Sequence, residues 1–231
     1  MEMAVNKQFE EKRLTKKRSF ISCMTAMVLL AALCLTGCSG SFKTDPLVKA
    51  AQKNGMSSIP LEGLQSRMDG NDTFYGIEMP EGAELIPVYY VSKDSNEATN
   101  VHTKYLSIND RDVAGLESLF WCEDRRSDVY ACLMTALTED TATKLYDEWL
   151  AFFREDNSVI TPGQKGRCVY TIGYLRKDAE DTSEGTDYFG LYKKGKTFFL
   201  ISASNKTEQG RKEVEAFCKA LGVVSPFTAK A

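Results

Sequence analysis

The sequence predicts an α+β domain, a mostly antiparallel sheet covered by helices. Three observations carry that expectation. Short runs rich in aromatic and β-branched residues recur between turn residues, among them ELIPVYYVSK (84–93), RCVYTIGYLR (167–176) and KTFFLISAS (196–204). Two other segments, TATKLYDEWLAFFRED (141–156) and about Glu208 to Leu221, repeat their apolar residues at helical spacing. Finally, the segments come in blocks: helices, several strands, a helix, three strands, a helix. Strict alternation would instead suggest parallel units.

Taken in order, Asp45-Pro46 opens a helix, Asp serving as N-cap and Pro as first helical residue. Leu47, Ala50 and Ala51 share one face of it, and Asn54-Gly55 stops it. A short helix is expected from Leu61 to Met68, then a turn at Asp69-Gly70-Asn71-Asp72. Strands follow at 73–79, 84–93 and, after the polar loop DSNEATN (94–100), at 104–108. ESLFWCE and DVYACLMTAL flank Asp124-Arg125-Arg126-Ser127 as a hairpin. With Glu123 opposite Asp128, Cys122 faces Val129 and Cys132 faces Leu119. The two thiols are then three residues apart, about 10 Å, beyond the reach of a disulfide.

In the helix at 141–156, Ala142, Leu145, Trp149, Phe152 and Phe153 form a core-facing stripe, and Thr161-Pro162-Gly163 closes the unit. YFGLYKK (188–194) and 196–204 join tightly around Gly195, while the acidic loop KDAEDTSEGTD lacks apolar residues. The last helix buries Val214, Phe217, Cys218 and Leu221 and ends at Gly222, and the tail after Pro226 is expected to fray. The strand FFLISAS, followed by a helix ending Leu221-Gly222, resembles the PsbP/Mog1-like sandwich over roughly residues 142–231. That resemblance bears on the fold and not on the function.

The amino-terminal region has its own logic. Lys12, Arg13, Lys16, Lys17 and Arg18 precede an uncharged run from Phe20 to Leu35. That run is shorter than the ~20 apolar residues needed to cross a bilayer. A basic head, a short apolar body and a small-residue exit form a secretory signal. Its end, Leu35-Thr36-Gly37-Cys38, resembles the lipobox of bacterial lipoproteins. The resemblance covers residues 1–38 and implies cleavage between Gly37 and Cys38. Residues 1–37 are then a signal peptide, and Cys38 is the lipidated first residue, carrying diacylglycerol and palmitate-type chains. Residues 38–44 form a tether and 45–231 a single α+β domain. The implied location is the cell membrane or outer membrane, on its extracytoplasmic side, and two or more acyl chains suffice for stable anchoring.

The first 37 residues carry six of the 29 basic and three of the 32 acidic residues, so 23 basic and 29 acidic residues follow, a net charge near −6. That balance argues against nucleic acid as a partner, and against docking on anionic lipid headgroups, so the acyl chains are expected to hold the protein down alone. Cys122, Cys132, Cys168 and Cys218 sit in apolar surroundings. Their even number permits disulfides but their spacing shows no framework, so pairing stays open.

Chemistry-bearing motifs are sparse. His102, the only histidine, lies among polar residues and reads as solvated. A zinc site built on several histidines is excluded by count. The EF-hand template laid on Asp181–Tyr192 puts Gly185 one position early and Tyr192 where a bidentate Glu belongs. No glycine-rich phosphate loop occurs, so no cofactor is expected. Carboxylates pair at Glu123/Asp124, Glu139/Asp140, Asp147/Glu148 and Glu155/Asp156, usually a sign of solvated faces. Tyr170 and Tyr174 share one strand face, Tyr188 and Tyr192 share another, and Tyr89 and Tyr90 lie near them, a pattern suited to a recognition surface. The reading is a lipid-anchored, non-catalytic binding or envelope-assembly module for a protein, peptide or glycan. The alternative is a lipid-anchored, carboxylate-dependent hydrolase.

Overall fold

The computed structural model describes residues 40–68, 86–106, 115–155, 158–175, 186–204 and 207–229. The leader with Cys38, the turn at 69–72, the expected strand at 73–79 and most of the acidic loop lie outside the described residues. Within them the strands are β1 (Ser57–Ser58), β2 (Val88–Ser92), β3 (Leu116–Asp124), β4 (Val129–Ala136), β5 (Val159–Lys165), β6 (Cys168–Tyr174), β7 (Asp187–Lys194) and β8 (Thr197–Ser204). They form one sheet in the order β1-β2-β3-β4-β8-β7-β6-β5, antiparallel throughout except for the two-residue β1–β2 pairing. The helices are α1 (Thr44–Lys53), α2 (Leu61–Met68), α3 (Ser95–Val101), α4 (Glu139–Glu155) and α5 (Glu208–Leu221).

Helices cover both faces of the sheet, and strand alternation divides the core in two. On one side Leu47 and Ala51 of α1 and Val214 and Phe217 of α5 pack on Tyr89, Phe120, Ala131, Phe199 and Ile201. On the other, Leu64, Ala98, Val101, Leu145, Trp149 and Phe153 pack on Trp121, Cys132, Met134, Phe198 and Leu200. This explains why β4 and β8 read as almost continuous apolar runs: a strand covered on both faces has no solvent side to leave polar. The α4 stripe lies on the core as the spacing predicts, with Trp149 stacked on Phe153 and Phe153 on Phe189. Phe152 sits at the margin, half-buried.

Several expectations are corrected. Lys43, not Asp45, is the N-cap of α1 and makes no side-chain cap, while Asp45 lies in the first turn. The expected polar loop at 94–100 is α3, because the Asp94 side chain accepts from the Glu97 amide at 2.9 Å and the turn buries Ala98 and Val101. It continues as a π-helical turn, His102–Leu106, where a strand was expected at 104–108. The β3–β4 register pairs Glu123 with Tyr130 and Trp121 with Cys132, two positions from the expected one. The hairpin turn occupies 125–128, with Asp128 at φ +52°, a conformation Asp tolerates. Thr161-Pro162-Gly163 lies inside β5 rather than ending a unit; as an edge strand, β5 accommodates a proline that lacks a donor.

Candidate functional site

The first described residues are seated rather than loose. The Phe42 amide donates to Thr197 Oγ1 at 2.9 Å, its ring is buried, and the Lys194 ammonium stands 5.6 Å over it. The Lys196 amide donates to Ser41 Oγ at 3.3 Å. Gly40 passes directly over Gly195 of the β7–β8 turn, whose φ of +55° permits that tight reversal. Residues expected to act as a tether are therefore held against one end of the sheet from Gly40 onward. The β5–β6 turn, with Gly166 and Arg167, lies at that same end, as does the carboxyl end of α5, where Lys165 Nζ donates to the Gly222 carbonyl at 3.0 Å.

The four candidate recognition tyrosines lie together on one face of the sheet. Tyr170 pairs with Tyr192 and Tyr174 with Tyr188 across β6 and β7, all on the side covered by α5. The ring of Tyr170 also covers Gly163, where any added side chain would collide with it. The C-terminal segment, expected to fray, instead forms a 3₁₀ turn (Pro226–Thr228) that straps this face. Tyr192 Oη donates to the Val224 carbonyl at 2.6 Å, and Phe227 meets Tyr188 edge-on at 5.2 Å between centroids. Tyr188 and Tyr192 are thereby buried and present no surface, whereas Tyr170 and Tyr174 stay half-buried at the sheet margin. Tyr89 and Tyr90 point to opposite faces and belong to the two cores.

One carboxyl pair has opposed titration, and sequence spacing gave no sign of it: Asp124 at the end of β3 and Glu213 on α5. Asp124 accepts from the Arg126 amide at 2.9 Å and from its guanidinium at 3.1 and 3.2 Å. Glu213 accepts from Ser127 Oγ at 2.8 Å and Gln209 Nε2 at 2.7 Å. Burial raises the Glu213 carboxyl, while at Asp124 burial is outweighed by the Arg126 contacts, which hold that carboxyl below its ordinary value. The pair fixes the β3–β4 turn to the amino-terminal half of α5. Asp124 is 1% and Glu213 0% exposed, so no substrate reaches either group. The neighbours Glu123 and Asp124 do not act together, since Glu123 pairs with Arg125 instead.

His102 is buried, not solvated. It is 1% exposed, and desolvation pulls its imidazole down to about 4. A shallow cleft of about 470 Å³ lies nearby, lined by Gln65, Asp94, Glu97, Asn100 and Lys104 among others. The Glu97 carboxylate there is already committed to Tyr90 and to Ser92 Oγ.

No protein-family model and no curated protein matches the chain. Among solved structures it is similar to the extracellular domain of PknH from Mycobacterium tuberculosis, at 9% identity and a TM-score of 0.32, covering 70% of this chain and 91% of that chain. The reading of the site therefore rests on its own geometry.

The four cysteines expected as possible disulfide partners are free and buried. Cys132 faces the α4 side and Cys122, Cys168 and Cys218 the α5 side, so the sheet separates Cys132 from the other three. Desolvation pushes the Cys168 thiol up to about 11 and those of Cys132 and Cys218 to about 12. Among the described residues no three His, Cys, Asp or Glu side chains converge as metal ligands, and no helix is long and apolar enough to cross a membrane.

Proposed function

We propose that the chain is an extracytoplasmic lipoprotein anchored through Cys38, and that its domain is a non-catalytic binding or envelope-assembly module for a protein, peptide or glycan. The observation that carries this reading is the motif Leu35-Thr36-Gly37-Cys38 after a basic, apolar leader, placed two residues before a seated domain edge at Gly40. Two features of the domain favour binding over hydrolysis. The carboxyl pair with opposed titration is sealed beneath the β3–β4 turn, and the histidine is sealed beside α3. Neither can meet a substrate in this conformation. The half-exposed Tyr170 and Tyr174 offer aromatic contact backed by Tyr188 and Tyr192.

The test is Cys38→Ala expressed in a bacterial host with labelled palmitate. The wild-type chain takes up label and is shortened, and the variant accumulates as an unlabelled precursor. Equal labelling and processing of the two chains refutes the lipoprotein reading.

A further inference from the structure

We propose that the end of the sheet bearing the β5–β6 and β7–β8 turns lies against the membrane, and that its basic side chains contact anionic lipid headgroups. The proposal rests on lipidation of Cys38 and adds an orientation and a ligand class to it. Two peptide units separate Cys38 from Gly40, which limits the span to about 7 Å. Gly40 is in turn pinned on Gly195 by the close backbone approach and by the Ser41, Phe42 and Thr197 contacts. A lipid on Cys38 therefore keeps this end of the domain within that short chain length of the headgroups.

The charge at this end suits that surface. Lys43, Lys165, Arg167, Lys196 and Lys219 are exposed here and Lys194 is half-exposed, all within or beside the turns and the carboxyl end of α5. The acidic groups of the same end are Asp45, exposed in the first turn of α1 beside Lys43, and Glu117, Glu139 and Asp140 toward β3 and the start of α4, where Glu139 meets Lys193 at 3.6 Å. Net charge near −6 over the whole mature chain thus conceals a basic rim around the anchor point. Each cation near an anionic leaflet adds favourable energy that decays within a Debye length, so only groups held at the surface profit.

The experiment is lysine footprinting of the full-length chain, purified from membranes and shown by mass spectrometry to carry lipid on Cys38. The protein is placed in vesicles of phosphatidylcholine alone or with phosphatidylglycerol added, then acetylated with a water-soluble reagent. Lys43, Lys194 and Lys196 are expected to react about fivefold more slowly in the anionic vesicles. Lys212, at the opposite end of α5 beside Glu208, should react equally in both. Lys196→Glu should restore the rate at Lys43, and Lys165→Glu repeats the test away from the Phe42 contact. Equal rates at Lys43, Lys194 and Lys196 in the two vesicle types overturn the orientation while the lipid remains confirmed. A chain without lipid on Cys38 overturns both readings, so the two failures are distinct.

Discussion

A Cβ placed on Gly195 would fall 1.9 Å from the carbonyl oxygen of Gly40. The amino-terminal segment and the β7–β8 turn are therefore fitted to each other at backbone level, through a position where only hydrogen fits. Gly222 provides the matching control, since it has φ +68° but nothing within 4 Å of an added Cβ. Gly222→Ala should cost about 1–2 kcal/mol for the left-handed conformation alone. Gly195→Ala adds the collision, so its chemical denaturation midpoint should fall further and protease should cut near Gly40 sooner. Equal midpoints and equal cutting would show that Gly40 does not rest there.

Trp149 is 4% exposed in the centre of the α4 stripe. Truncating a buried aromatic of this size typically costs about 3–5 kcal/mol, against a total of about 5–15 kcal/mol for a domain. Trp149→Ala should therefore melt far below the parent in a thermal scan. Parent-like melting with loss of a binding partner would place Trp149 on a recognition surface instead.

His102 makes stability fall with acid. Its imidazole is held at about 4 in the folded chain, below the ordinary 6.5, so the unfolded chain binds the proton first. The stabilisation is complete above pH 6.5 and is lost as pH drops toward 4, by about 1.4 kcal/mol per unit. Urea denaturation at pH 7, 6, 5 and 4 measures this slope. His102→Leu should flatten it, and an unchanged slope would assign the effect to other groups.

Glu213 has the opposite sign. Its carboxyl is raised, so it stabilises most below its ordinary value and less as pH rises through the folded-state value. Asp124 is lowered, and its contribution fades in acid. Glu213→Gln removes the titrating proton and keeps a polar side chain of the same shape, so it should gain on the parent as pH rises through the folded-state value of Glu213. Glu213→Ala leaves Ser127 and Asp124 without that partner and should lose at every pH. A Gln variant with the parent's pH dependence would show that Glu213 is not the group responsible.

Much of the fold was legible because its signals are local. The α4 stripe, the turn at Gly195 and the stop at Gly222 each sit within a few residues of one another. What escaped depended on distant partners. α3 looks polar because only Ala98 and Val101 face the core, and β5 looks like a loop because Pro162 and Gly163 are acceptable only at an edge covered by Tyr170. The burial of His102 and the meeting of Asp124 with Glu213 needed tertiary packing that no spacing encodes. The tyrosines were visible as a group, but the strap through Val224 and Phe227 that closes over two of them was not.

Burial of the four free thiols limits their reaction with oxidants in the folded domain. Cys132 is screened from Cys122, Cys168 and Cys218 by the sheet, and each thiol is held well above the pH at which thiolate becomes abundant. Among the described residues these thiols are free, so the sheet and its helices are held by packing and hydrogen bonds. The thiols are accessible while the chain is unfolded, which makes folding itself their protection against wrong cross-links.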